Sequence, residues 1–138
     1  MGARTKARKR AADLLFEAGQ RHLDPMNLLR DRLVEPHTEA RIPQYAADIV
    51  EGVSAHRARI DELVETHSHG WTLNRMPSVD RALLTVGAWE ILYNDDVADT
   101  TAIDEAVTLA ARLSTDGSPA FVNALLQRIV DVKPMLVD

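Results

Sequence analysis

The 138-residue sequence contains no cysteine, which excludes a disulfide framework, a thiolate nucleophile and thiolate metal ligands. Aromatic residues make up only 4% of it. Alanine, leucine, valine and isoleucine must therefore fill the interior, which favours close helix–helix contact over a sandwich packed with rings. No apolar run approaches the roughly 20 residues that a membrane-crossing helix needs. The N-terminus is basic but has no apolar stretch behind it, a pattern expected of a cytoplasmic protein rather than a signal peptide. There is no glycine-rich phosphate loop and no serine in a nucleophile-elbow setting. His67 and His69, with His56 nearby, have no acid or thiol to complete a ligand set. An enzymatic activity, a cofactor and a metal are not expected.

What is present is helical periodicity. Apolar residues are 46% of the chain, enough for one domain over residues 1–138 to bury a core. They recur at spacings of three and four, with no strand-like alternation of useful length. The spacing predicts a first helix from about Thr5, as its cap, to Gly19 or Arg21, with Ala7, Ala11, Leu14, Leu15 and Ala18 facing inward. Asp24-Pro25 supplies a cap and a first-turn proline for a short second helix to about Val34, broken by Glu35-Pro36-His37-Thr38. A third helix, the longest, starts at Pro43 and carries Tyr45, Ile49, Val53, Ile60, Leu63 and His67 towards Gly70. Gly52 in its middle costs roughly 1 kcal/mol relative to alanine, and a close helix crossing would account for it.

After a connection over 71–78, the fourth helix is apolar on most sides (Val79, Leu83, Val86, Ile91), as a central buried helix would be. Asp80, Arg81 and Glu90 on its flanks read as surface ion pairs or, for Asp80, as a first-turn acid suited to the helix dipole. Asp95-Asp96 and Asp104-Glu105 read as solvated or capping positions. A fifth helix starts near Thr100 or Thr101, a turn follows at 114–117, and Ser118-Pro119 opens a last helix with Phe121, Val122, Leu125, Leu126 and Ile129. The fold class is all-α, a compact bundle of six to seven helices.

The formal net charge is −5, but it is unevenly spread. Residues 1–22 hold six Lys/Arg (Arg4, Lys6, Arg8, Lys9, Arg10, Arg21) against Asp13 and Glu17, a local excess of +4, and the rest of the chain carries −9. Such a chain repels polyanions everywhere except at the patch. Guanidinium groups offer phosphate oxygens paired donors and keep their charge. The patch therefore reads either as a nucleic-acid contact or as a solvated basic terminus. Cations in the first turns also oppose the helix dipole, so helix stability is not what they serve.

Several strings resemble the NusB family. They are Arg8-Lys9-Arg10-Ala11-Ala12-Asp13-Leu14-Leu15-Phe16-Glu17, Val50-Glu51-Gly52-Val53 with Ile60-Asp61, Val79-Asp80-Arg81-Ala82-Leu83-Leu84 with Ala88-Trp89-Glu90-Ile91-Leu92, Ala102-Ile103-Asp104-Glu105-Ala106-Val107, and Phe121-Val122-Asn123-Ala124-Leu125-Leu126. Together they cover nearly the whole chain in the family's order. The resemblance implies two helical subdomains and a role in transcription antitermination, especially of ribosomal RNA. It implies binding of single-stranded boxA RNA together with NusE, a small-subunit ribosomal protein, and joining of RNA polymerase with other Nus factors. By position, Arg4, Lys6, Arg8, Lys9 and Arg10 would contact RNA. Asp116, Ser118 and Phe121 would complete that surface, although Phe121 also reads as core. Phe16 and Asp80 would face NusE, whose positive charge suits the acidic remainder of the surface. Phe16 replaces the family's usual tyrosine, and Ala124 replaces a glycine. Some family members form homodimers that cover the RNA-binding face. Two rival readings are the RNA-targeting helical module of an RNA cytosine methyltransferase-like protein and a protein-only helical adaptor.

Overall fold

A computed structural model describes residues 2–34 and 41–136. The expected break at Glu35-Pro36-His37-Thr38 lies outside them. Among the described residues there are seven α-helices, a terminal 3₁₀ turn and no strand. No helix among them is long and apolar enough to cross a membrane.

The first helix, α1, spans Ala3–Arg21. It starts earlier than the spacing predicts: Gly2 holds the cap position without a side-chain bond, and the Thr5 hydroxyl is drawn to a distant acid (below). It ends where His22 takes a left-handed conformation, φ 54°, which turns the Leu23 N–H back onto the Ala18 carbonyl at 2.8 Å. Helix α2, Pro25–Val34, has the expected cap, with the Asp24 carboxylate accepting the Met26 N–H at 2.9 Å. Glu17 receives both Arg21 and Arg32 and so ties α1 to α2. Burial raises its carboxyl pKa, but the two guanidinium groups outweigh this and hold it below the ordinary value.

The predicted third helix is in fact two. Helix α3, Gln44–Ala55, and helix α4, Arg57–Thr66, meet at His56, whose backbone leaves helical geometry (φ −126°, ψ 24°). The His56 ring stacks on Tyr93, with centroids 3.7 Å apart and planes at 10°. The bend lets α3 pack on α1 and on α5, Ser78–Tyr93, while α4 packs on α5 and on α7, Ser118–Val132. Apolar spacing runs through the bend unbroken, which hides it in the sequence.

Helix α5 is the central element, packed against α1, α3, α4, α7 and α6 (Asp99–Leu113). Its run from Ala82 to Ile91 is wholly buried. Two of its crossings depend on glycine. A Cβ at Gly52 of α3 would lie 2.1 Å from Trp89 Nε1 of α5, and one at Gly87 of α5 would lie 2.7 Å from Leu126 Cδ1 of α7. Both are closer than a side chain tolerates, so the helical cost of Gly52 is the condition for the α3–α5 approach. The chain directions follow from contacts along α5. Gln20 reaches Ser78 at one end of α1 and Arg8 reaches Glu90 at the other, so α1 and α5 are antiparallel. Ser114 meets Asp80, so α6 is antiparallel to α5 and parallel to α1.

Candidate nucleic-acid interface

Helix α1 turns its alanine–leucine stripe inward, burying Ala7, Ala11, Ala12, Leu14, Leu15 and Ala18. Arg4 and Lys6 are exposed and Lys9 and Arg10 are half-buried. Lys9 pairs with Asp13 one turn on, at 3.0 Å, an exposed pair worth little. Four of the five expected cations therefore reach the surface.

Arg8 does not. It is 3% exposed, beside Ala7 and one turn from Ala11 and Ala12. Its Nε donates to both oxygens of Glu90 at 2.9 Å, and Glu90 is itself 1% exposed. A second arm reaches Glu105 of α6 at 3.3 Å, whose carboxylate also accepts the Thr5 hydroxyl at 2.9 and 3.0 Å. Burial works against the Arg8 charge, but Glu90 and Glu105 outweigh it and raise its pKa above an already high ordinary value. The expectation that Arg8 contacts RNA is corrected: it is an internal cross-link of α1, α5 and α6. The reading of Glu90 as a helix-surface acid is corrected with it.

The carboxylate of Glu90 also accepts the hydroxyl of Tyr45 from α3, and the Asn94 side-chain amide donates to that hydroxyl at 3.0 Å. Burial, then the bond to Glu90, pushes the Tyr45 hydroxyl up to about 12, against the opposing charge of Arg8. The Tyr45 ring carries the Arg4 guanidinium over its face, 4.3 Å from the centroid. Helical spacing marked Tyr45 only as an inward position of α3. Nothing local pairs it with Arg4, Glu90 and Asn94, which are brought in from α1 and the end of α5.

The turn after α6 is built on Asp80. This residue is 2% exposed and accepts the Ser114 hydroxyl at 2.5 Å and the Ser118 hydroxyl at 2.9 Å. Ser118, itself buried, accepts the Thr115 N–H at 3.3 Å. Asp80 is thus inaccessible to a partner and Ser118 to RNA, and both expectations are corrected. The two residues hold the turn that leaves Asp116 exposed. Phe121 is partly buried and packs against the core. The turn packs on Asp80 at the start of α5, the end of α5 that Gln20 near the C-terminus of α1 also reaches through Ser78.

Phe16 is on another side of α1. It is 38% exposed and lines a groove of about 320 Å³ with Leu23, Pro25, Ser54, Arg57 and Arg81. The Arg57 and Arg81 ends of the groove share Asp61, at 3.2 and 3.9 Å.

The chain's sequence matches the NusB family, whose profile covers residues 5–131. The chain belongs to the NusB family. The transcription antitermination protein NusB of Beutenbergia cavernae is 56% identical, over 100% of this chain and 95% of that protein. The solved NusB of T. maritima is 30% identical and superposes with a TM-score of 0.80, covering 94% of this chain and 92% of that one. A NusB solved with NusE on double-stranded RNA has the same fold, at 23% identity and a TM-score of 0.79, covering 94% of this chain and 96% of that one. Helices α1 to α7 are thus a NusB fold, assembled here around the Arg8–Glu90 pair.

Proposed function

We propose that this NusB protein binds the boxA element of nascent ribosomal transcripts through the basic face of α1, acts together with NusE, and joins RNA polymerase with other Nus factors. The observation that carries this reading is the cluster of exposed Arg4 and Lys6 with half-buried Lys9 and Arg10 along one helix of a chain that is otherwise acidic. Asp116 in the turn after α6 and the rim around Phe121 on α7 complete the surface. NusE docks at the groove edge made by Phe16 and Leu23, whose exposed apolar atoms face away from the inward stripe of α1. The methyltransferase-module alternative is not favoured, because the relatives that the chain matches are transcription antitermination proteins.

Titration of boxA RNA with and without NusE, over a range of salt, tests the reading. Four phosphate contacts on a single strand give a log–log salt slope of about −3, at about −0.7 per contact. A flat dependence refutes the α1 assignment. Phe16→Glu should abolish the gain from NusE while leaving the RNA affinity of the isolated protein unchanged, and equal loss of both would sink the two-face arrangement.

A further inference from the structure

We propose that Arg4, backed by Tyr45, is a stacking platform for one unpaired RNA base, so that this end of α1 binds a base as well as phosphates. The inference rests on the reading that α1 binds RNA. The Arg4 guanidinium lies 4.3 Å over the Tyr45 ring, within the range of a cation–π contact. Arg4 is exposed, and among the described residues no carboxylate lies within ion-pair distance of it. Guanidinium planes stack on unpaired bases as aromatic rings do, and one already held against a ring has lost its rotamer freedom beforehand.

The ring beneath it is fixed. Its hydroxyl is bound to Glu90 and Asn94, Arg8 lies 5.7 Å from its centroid, and Trp89 packs at 6.4 Å with planes at 54°. Glu90 is in turn held by Arg8 from α1. The buried cross-link of α1 to α5 thus sets the position of an exposed cation. The other five aromatic residues do not serve this end of α1. Trp89 is buried, Tyr93 is stacked on His56, Phe121 is packed on the core, Phe16 lines the groove, and Trp71 lies in the connection after α4. Lys6, a point charge on a flexible stem, offers no plane.

The test separates stacking from charge. Arg4→Lys keeps the charge and removes the plane, so affinity for single-stranded boxA RNA should fall about fivefold with the salt slope unchanged. On an abasic ribose–phosphate strand of the same length that loss should vanish. Tyr45→Phe keeps the ring but releases it from Glu90 and Asn94, so it should lose less than Tyr45→Leu. Tyr45→Leu, checked by melting to be folded, should lose about fivefold, and combining it with Arg4→Lys should add nothing, where independent sites would give about 25-fold. Parent-level binding by Arg4→Lys, a loss that persists on the abasic strand, or multiplying losses would overturn the platform. If the parent itself shows no salt-dependent RNA binding, the assignment of α1 fails, and the platform with it. Salt-dependent parent binding with an unaffected Arg4→Lys leaves the α1 reading standing and removes only the platform.

Discussion

Arg8→Ala is the perturbation that best separates an internal cross-link from an RNA contact. It would leave Glu90, 1% exposed, with the Tyr45 hydroxyl as its remaining partner, an ionised carboxylate in a low-dielectric interior. Removing one partner of a buried pair costs about 3–5 kcal/mol. For a chain of this length that corresponds to a drop in melting temperature of roughly 10–20 °C, at about 3–4 °C per kcal/mol. Because the pair is out of reach of counterions, the loss should barely change with added salt. The double variant Arg8→Met with Glu90→Leu removes both charges and should recover a good part of the loss. Melting followed by circular dichroism gives the stability, and RNA titration well below the melting point of the variant gives the binding. Folded Arg8→Ala should keep the parent salt slope, since Arg8 reaches no phosphate. A variant that melts with the parent but loses about 0.7 from the slope would show that Arg8 works at the surface and that the network has been misread.

Gly52→Ala should destabilise by about 1–3 kcal/mol, because its methyl would overlap the Trp89 indole. Gly19→Ala, with open space around it, should instead gain about 0.5–1 kcal/mol by denaturant titration. Asp80→Ala should cost about 1–3 kcal/mol, since the buried Ser118 hydroxyl loses its acceptor; an unchanged midpoint would contradict the bracket. The Tyr45 hydroxyl titrates near 10 when unfolded and at about 12 when folded. Its contribution is therefore complete below pH 10 and lost as pH rises from 10 to 12, on the order of 2 kcal/mol. Tyr45→Phe should lose stability less steeply across that window, and equal slopes would deny the shift.

The places where sequence reasoning went astray share a cause. Arg8, Glu90 and Asp80 read as surface charges in the sequence because a lone charged residue is most often solvated. Yet Arg8 sits between Ala7 and Ala11 on a helix whose other inward positions are apolar, and Glu90 interrupts the apolar run of α5 in the same way. Two opposite charges, each on an inward face, are a legible sign of a buried pair. Which acid meets which base was not legible, because Arg8 and Glu90 are brought together only by the antiparallel packing of α1 on α5. The bend at His56 escaped for a related reason. Apolar periodicity reports which residues face inward, and it continues unbroken when a helix changes direction around one residue. The capping role given to Thr5 failed because Glu105 from α6 competes for its hydroxyl.

The sequence alone determined the all-α class, most helix starts and stops, the centrality of α5, the need for a close approach at Gly52, and the basic character of α1. These depend on neighbours within one or two turns, where periodicity, caps and glycine act locally. Only the tertiary structure decided which of the basic residues reach solvent, that Asp80 and Ser118 brace a turn, and that Tyr45 lies under Arg4. Those outcomes depend on groups from distant helices meeting in a medium where a charge must be paired or left in water, and local spacing carries no record of that meeting.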